Sequence, residues 1–219
     1  YRGIWNPIRT NVSGMDVTEL FPLQAQHADK FSVVRSLHHN TGDHFTGGHY
    51  MLTGRGGVSG LNNSPKSPFI GSIATKMTGP RKPGVPENVA IPYAMSIGLR
   101  PGYFGAGYVG QQYNPFETVG DANSPKFKVP NLDLVPGLTM SRLEDRQGLS
   151  RTFDKMRRDA DNSGLLAAMD RFDQQAYSLV TSEATRRAFD INSEDPRLRD
   201  KYGRHSWGQS TLLARRLVE

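Results

Sequence analysis

The first forty residues combine two hydrophobic patterns that favour different secondary structures. Residues 31–37, Phe-Ser-Val-Val-Arg-Ser-Leu, form a short, β-branched and largely apolar run, which predicts a strand buried on both faces. Residues 16–30 have apolar side chains at helical spacing, with Thr18 available as an N-cap; these side chains are Leu20, Leu23, Ala25 and Ala28. A helix followed by a buried strand is typical of a parallel α/β sheet.

The pattern then changes to a polar loop over residues 38–48, followed by a short helix over residues 50–53 that Gly54 ends. From residue 56 to 137 the periodicity weakens, and the chain is rich in turns, because 13 of its 14 Pro residues precede residue 137. Within this region we expect a helix after the turn at residues 64–68, a short strand over residues 88–91 and a Gly-aromatic loop over residues 102–116. The apolar stripe of that helix is Ile70, Ile73, Ala74 and Met77.

Beyond residue 137 the hydrophobic pattern is helical. One predicted helix begins at Ser163 and continues to residue 180, a second covers residues 183–189, Pro196 interrupts the pattern, and a third covers residues 208–219. We therefore expect one α/β domain over residues 1–219. Its parts are the strand and His-rich loop (1–55), a loop-rich insertion (56–137) and a helical segment (138–219). Both ends resemble interruptions of a larger fold, so we expect an incomplete domain with further strands on either side.

Composition and charge exclude several classes of function. The 219 residues contain no Cys, which excludes disulfides, thiol nucleophiles and Cys-zinc sites. The apolar runs are too short to span a bilayer. The net charge of +6 is modest, and the arginine pairs of the helical segment alternate with carboxylates, which argues against nucleic-acid binding. Those pairs are Arg157-Arg158, Arg186-Arg187 and Arg215-Arg216.

Four of the six His residues lie between residues 38 and 49, directly after the predicted strand. Ligands of open α/β sheets bind at the carboxyl ends of the strands. Imidazole and carboxylate groups suit zinc and acid–base chemistry, and glycine amides can approach an anion closely. The spacing matches no closed zinc motif, and a solvated turn is the alternative. The candidate residues are Asp43, His44, Thr46, Gly47, Gly48 and His49.

Several stretches in order along the chain resemble one bacterial family, the secreted sulfatase-like family known as domain of unknown function 1501. This family is placed in the alkaline phosphatase and sulfatase superfamily. The matching stretches are residues 27–37, 42–44, 49–55, 105–110, 114–116, 127–131, 143–146, 202–204 and 208–219.

The resemblance implies an α/β/α sandwich that hydrolyses phosphate or sulfate esters at a metal site beside the strand ends. Superfamily members place the nucleophile about ten residues before a Leu-Thr-Gly turn, and here that position is His44. Superfamily nucleophiles are Cys, Ser or Thr, and the nearest hydroxyl belongs to Thr46. His44 is therefore a phospho-accepting nucleophile, a metal ligand or the relic of a lost activity.

On this hypothesis Asp43 and His49 orient His44 or act as acid and base, and the amides of Gly47 and Gly48 face the oxyanion. Arg55 contacts the sulfate or phosphate group. His44 and Asp43 are candidate ligands of a divalent metal, zinc or calcium. The remaining ligands of the superfamily site would lie outside residues 1–219. We therefore expect a metal in the full-length protein only, and weak metal binding and no hydrolysis by this chain alone.

The resemblance also implies a secreted or periplasmic protein whose substrate is a sulfated or phosphorylated small molecule or glycan. The oligomeric state is left open. The alternative function is a non-catalytic glycan-binding or scaffold protein on the same fold. In that case aromatic rings of the Gly-aromatic loop stack on sugars, although packing of the loop is another role for them. Those rings are Tyr103, Phe104, Tyr108, Tyr113 and Phe116.

Overall fold

The structure is a computed structural model. It describes residues 3–56, 67–79, 81–82, 84–95, 99, 102–130, 132, 139, 141–142, 144–145, 148 and 177–219. The chain divides into two compact units, Tyr1–Asn40 and Thr41–Glu219. Most of the predicted helix that begins at Ser163 lies outside the described residues; residues 177–180 at its end are helical.

The first unit contains a small antiparallel sheet and short helical turns. Strand β1 (Pro7–Arg9) pairs with β2 (Asp16–Thr18), with Ile8 opposite Val17. Helix α1 (Pro22–Ala25) and a 3₁₀ turn (Ala28–Lys30) follow. The predicted helix over residues 16–30 is thus confirmed only in its second half. Its start is wrong because Thr18 pairs in the sheet, whereas Pro22, with its fixed φ, begins the helix.

The buried strand predicted at residues 31–37 is wrong. These residues form no strand, and Phe31, Val33, Val34 and Leu37 have exposed fractions of 41%, 53%, 66% and 61%. The physical reason is the lack of a surface to cover them within this unit. Its described residues bury only two hydrophobic side chains, Ala25 and Ala28, and its sheet has two strands of three residues.

The second unit begins with helix α2 (His44–Thr53), which ends at Gly54 with φ of 69°. The left-handed Gly54 confirms the predicted stop. The helix itself is longer than predicted, because residues 44–48 are helical rather than loop. Asp43 provides the missing start signal: its carboxylate Oδ2 accepts a 2.6 Å hydrogen bond from the Thr46 N–H.

Helix α3 (Ile70–Thr78) is confirmed, but the predicted apolar stripe does not face the core. Ile70 and Met77 have exposed fractions of 65% and 82%, whereas Ser72 and Thr75 are buried. The helix packs on 3₁₀ turns of the Gly-aromatic loop rather than on a sheet. Small polar side chains suit this contact because they allow backbones to approach closely. Ser72 also has a hydrogen-bond partner there, since its Oγ accepts a 3.4 Å bond from Asn88 Nδ2.

Two parallel strands follow α3. Strand β3 (Val89–Ala90), the short strand predicted at residues 88–91, pairs with β4 (Phe116–Glu117), with Val89 opposite Phe116. Between them lie three 3₁₀ turns: Gly102–Phe104, Gly107–Val109 and Gln111–Tyr113. In the described part of the chain each sheet has two strands, so the fold is mixed α/β, and the larger sandwich stays a prediction.

Three C-terminal helices complete the core. They are α4 (Glu183–Phe189), as predicted, α5 (Pro196–Tyr202) and α6 (Ser206–Val218). Pro196 does interrupt the pattern, but it does so as the first residue of α5. Leu212 and Leu213 of α6 are fully buried against a cluster that includes Ala122, Phe127, Val129, Leu132, Phe189 and Ile191.

Arg216 connects α6 to the end of α4. Its guanidinium donates to the carbonyl oxygens of Arg187 at 2.6 Å and Ala188 at 3.2 Å, and it pairs with Glu194. Cationic groups are favourable at helix C-termini, where carbonyls lack helical partners. Within the described ranges, no helix has the length and apolar character needed to cross a bilayer.

Candidate functional site

The candidate residues of the His-rich segment gather on helix α2. Asp43 is its N-cap, His44 is its first residue, and Thr46 lies in the same turn. Asp43 satisfies two amides, because its Oδ2 accepts from the Thr46 N–H and its carbonyl accepts from the Gly47 N–H at 2.9 Å. His44 is exposed and Thr46 is half-buried. This first turn therefore presents an imidazole to solvent at the positive end of a helix dipole.

His49 lies near the other end of the same helix and is 6% exposed. Its Nδ1 lies 2.8 Å from the Arg55 carbonyl oxygen, which can only accept, so Nδ1 carries the proton and donates. The Thr53 hydroxyl donates to the His49 carbonyl at 2.6 Å. These bonds close the C-terminal turn of α2 around Gly54.

Arg55 follows the C-terminal end of α2, whereas His44 lies at its N-terminal end. Thr53 is nine positions after His44 in the helix, which corresponds to roughly 14 Å along the axis. Arg55 is exposed, and its carbonyl rather than its guanidinium contacts His49. The structure thus places the predicted anion contact and the predicted nucleophile at different ends of one helix.

Gly47 and Gly48 lie inside α2, where they bring it close to the Gly-aromatic loop. A Cβ atom at Gly48 would lie 2.9 Å from both Cζ and the hydroxyl of Tyr103, closer than atoms can pack. Tyr103 is 5% exposed. The Gly47 amide already donates to Asp43. In this structure Gly48 makes room for a tyrosine ring, and the amide of Gly47 is not available to an oxyanion.

The unit boundary between Asn40 and Thr41 divides the four clustered histidines. His38 belongs to the first unit, where its exposed ring bonds locally to the Ser36 carbonyl at 2.9 Å. His39 belongs to that unit as well. The structure places Asp43, His44 and Thr46 together at the first turn of α2 and His49 farther along the same helix, and it describes His38 and His39 in the other unit.

The donor atoms of α2 do not make a metal site by themselves. Within the part of the chain that the structure describes, no three His, Asp or Glu side chains are arranged to hold a metal ion. One carboxylate oxygen of Asp43 is used as a helix cap, and Nδ1 of His49 is held by Arg55. Asp43 and His44 can contribute at most two ligands, whereas zinc sites use three or four protein ligands.

The Gly-aromatic loop uses most of its rings for packing. Tyr103 and Phe104 contact each other with ring centroids 4.9 Å apart, Phe104 meets Phe69 at 6.1 Å, and Phe116 meets Phe189 at 5.7 Å. Tyr108 differs, because 70% of it is exposed. Packing is thus confirmed for several of the five rings, and Tyr108 is the one that presents its face to solvent.

Sequence reasoning did not identify two contacts that hold α2 in place, the approach of Tyr103 to Gly48 and the bond from His49 to the Arg55 carbonyl. The signal for the first was a Gly-Gly pair inside a helical segment, which marks a close approach of a neighbouring group. The second had no signal, since a histidine contact with a carbonyl oxygen does not depend on the identity of residue 55.

A family model described as Protein of unknown function (DUF1501) matches residues 1–219, so the chain belongs to this family. Neither the curated proteins nor the solved structures contain a significant match to the chain.

Proposed function

We propose that the first turn of α2 is the ester-binding end of a hydrolase site for phosphate or sulfate esters, with His44 as the reacting side chain. The observation that carries this proposal is the position of His44, which is exposed at the first residue of a capped ten-residue helix. Amides at a helix N-terminus and the helix dipole favour anions. The same residue occupies the nucleophile position that the resemblance to sulfatase-like hydrolases implies.

Contacts along the rest of α2 hold the helix in place and so support its first turn. Tyr103 covers Gly48, and His49 and Thr53 close the far end of the helix through the Arg55 and His49 carbonyls. A reactive group has to be held within a fraction of an ångström of its working position. The packed half of α2 therefore positions the exposed half.

In this proposal a ring nitrogen of His44 attacks the phosphorus of a phosphate ester. The P–N bond forms as the P–O bond to the alcohol breaks, and the departing alkoxide takes up the proton that the phosphorylated imidazole releases. Water then hydrolyses the phosphohistidine to phosphate and free histidine. Thr46 is the nearby hydroxyl that can bind an ester oxygen. Arg55 takes part only when the substrate is long enough to span α2, as a sulfated or phosphorylated glycan is.

The metal dependence and the location of the protein are parts of the same proposal. Zinc or calcium in the whole protein would require ligands beyond Asp43 and His44, so we assign no chemical step to it. A secreted or periplasmic location is proposed from the resemblance to the sulfatase-like family.

His44→Ala should lower kcat/KM for aryl phosphate or aryl sulfate esters at least 100-fold, since the reacting imidazole is lost. The assay uses the whole protein supplied with Zn²⁺ or Ca²⁺. His38→Ala is the matched control, because it removes an exposed histidine of the first unit and should leave turnover unchanged. Unchanged turnover in the His44→Ala protein would contradict the proposal, provided that circular dichroism shows a native fold.

The second candidate function is non-catalytic glycan binding, and the exposed ring of Tyr108 favours it. Sugar rings stack on aromatic faces that are open to solvent. The neighbouring rings hold the loop, and a 2.7 Å hydrogen bond from the Ala106 amide to Asn114 Oδ1 closes it. Tyr108 is therefore exposed to solvent on a loop whose backbone is held in place by packing and hydrogen bonding.

Tyr108→Ala should weaken binding of a sulfated oligosaccharide about tenfold if the loop binds glycans, because stacking of one ring is lost. Calorimetric titration in the presence of a metal chelator measures this effect without contribution from a metal. Trp207→Ala is the control, since Trp207 is an exposed aromatic residue on α6, outside the Gly-aromatic loop. Equal affinity of wild type and Tyr108→Ala would remove this candidate.

A further inference from the structure

The N-cap of helix α6 is a histidine. His205 has an extended backbone (φ −145°, ψ 164°), and its Nδ1 accepts a 3.2 Å hydrogen bond from the Gly208 N–H. Helices α4 and α5 are capped by Ser182 and Asp195, which belong to the preferred cap residues Ser, Thr, Asp and Asn. An imidazole nitrogen can accept this bond only while it carries no proton.

The helix that His205 caps holds the centre of the second unit. The next turn of α6 contains Gln209, which is fully buried and bonds to Arg199 and Gly203, and the turn after it contains Leu212 and Leu213. The ring of His205 lies over Gly203, since a Cβ added there would approach Nε2 to 2.5 Å. The cap therefore lies at the turn that joins α5 to α6.

No nearby carboxylate compensates a charge on His205 in the part of the chain described. The first turn of α6 has no acidic residue. Asp200 of α5 is paired with Arg204 at 2.6 Å, Asp190 accepts from the Asn192 N–H, and Glu194 pairs with Arg216. The cationic residues of α5 and the following turn are Arg197, Arg199, Lys201 and Arg204.

We propose that His205 is an acid-sensitive cap that loosens the turn between α5 and α6 when it is protonated. A proton on Nδ1 converts the acceptor into a donor, so the bond from Gly208 is lost. The added positive charge then lies at the positive end of the α6 dipole. The cap stabilises the fold while Nδ1 carries no proton, and its contribution is lost once that nitrogen binds one.

Unfolding in urea at pH 8 and at pH 5 tests this proposal, with His205→Asn as the comparison, because asparagine accepts the same bond at both pH values. Between pH 8 and pH 5 the unfolding equilibrium constant should rise about tenfold more in wild type than in His205→Asn. The other histidines contribute equally to both proteins. His205→Ala, which has no cap at either pH, should match wild type more closely at pH 5 than at pH 8.

Two spectroscopic measurements give independent results for the cap itself. Long-range ¹H–¹⁵N spectra of the imidazole should show a bare Nδ1 at pH 8. Exchange of the Gly208 amide with solvent, corrected for intrinsic rates, should lose protection at pH 5 in wild type and keep it in His205→Asn. A protonated Nδ1 at pH 8, or equal pH dependence of stability in wild type and His205→Asn, would overturn the proposal.

Discussion

Gly208→Ala should lower the free energy of unfolding by about 3 kcal/mol. The expected direction is opposite to helix propensity, since alanine in a helix is about 1 kcal/mol more favourable than glycine. Gly208 is buried in the first turn of α6, where the chain passes against the end of α5. A Cβ atom there would overlap the Tyr202 carbonyl and lie 2.5 Å from the Gly203 carbonyl oxygen.

This clash is costly because both contacts are backbone atoms. A long side chain could rotate away, but moving these carbonyls would shift α6 and its buried residues Leu212 and Leu213. Urea or thermal unfolding measures the effect. Gly42→Ala is the matched control, because a Cβ there meets no atom within 4 Å, and it should change stability by less than about 0.5 kcal/mol. A Gly208→Ala protein as stable as wild type would show that α6 approaches α5 less closely.

The elements that could be predicted from the sequence are those with local start and stop signals. Gly54 ends α2 because only glycine adopts its left-handed backbone without strain, and Ser182 starts α4 as a cap. The predicted bounds of α4, residues 183–189, agree with the structure. The start of α2 at His44 had a local signal as well, the Asp43 cap. It was missed because two glycines follow it, and glycine is a poor helix former.

Burial could not be predicted, because it depends on what the rest of the fold supplies. Residues 31–37 have the composition of a buried strand, but the described part of their unit supplies no neighbouring strand, and Val34 is 66% exposed. Helix α3 was found at its predicted place with the opposite face inward. Helix α3 packs on a loop, and small side chains allow this close contact. The predicted stripe of large apolar side chains would have suited packing on a sheet.

For the candidate site, residue types could be predicted and contacts could not. Asp43, His44 and Thr46 were selected by chemistry and do lie in one turn. His49 was grouped with them by sequence proximity, yet its Nδ1 faces the Arg55 carbonyl at the far end of α2. Residues five positions apart in a helix lie on different turns and different faces. His44 and His49 are therefore farther apart in space than they would be in the predicted loop.

Gln209→Leu should lower the free energy of unfolding by about 4 kcal/mol, although leucine has nearly the same volume as glutamine. Gln209 is fully buried, and all of its polar side-chain atoms are used. Its Oε1 accepts from Arg199 Nε at 2.7 Å, and its Nε2 donates to the Arg199 and Gly203 carbonyls at 2.9 Å each. Leucine would leave one cationic donor and two carbonyls without these partners.

The cost arises mainly from Arg199, which is 9% exposed. Its described side-chain partners are two neutral amide oxygens, those of Gln209 and Asn192. Burial lowers the pKa of its guanidinium, but arginine stays charged at neutral pH. The charge has to be removed for a leucine at residue 209 to be tolerated.

A double-mutant cycle tests this argument. Arg199→Met combined with Gln209→Leu should be more stable than the sum of the two single effects by about 2 kcal/mol, because methionine leaves no buried cation to be stranded. Arg187→Ala is the control, since its pair with Glu183 is solvent-exposed with a 3.9 Å separation and should contribute less than about 0.5 kcal/mol. Strictly additive effects would mean that Arg199 is stabilised by something other than Gln209.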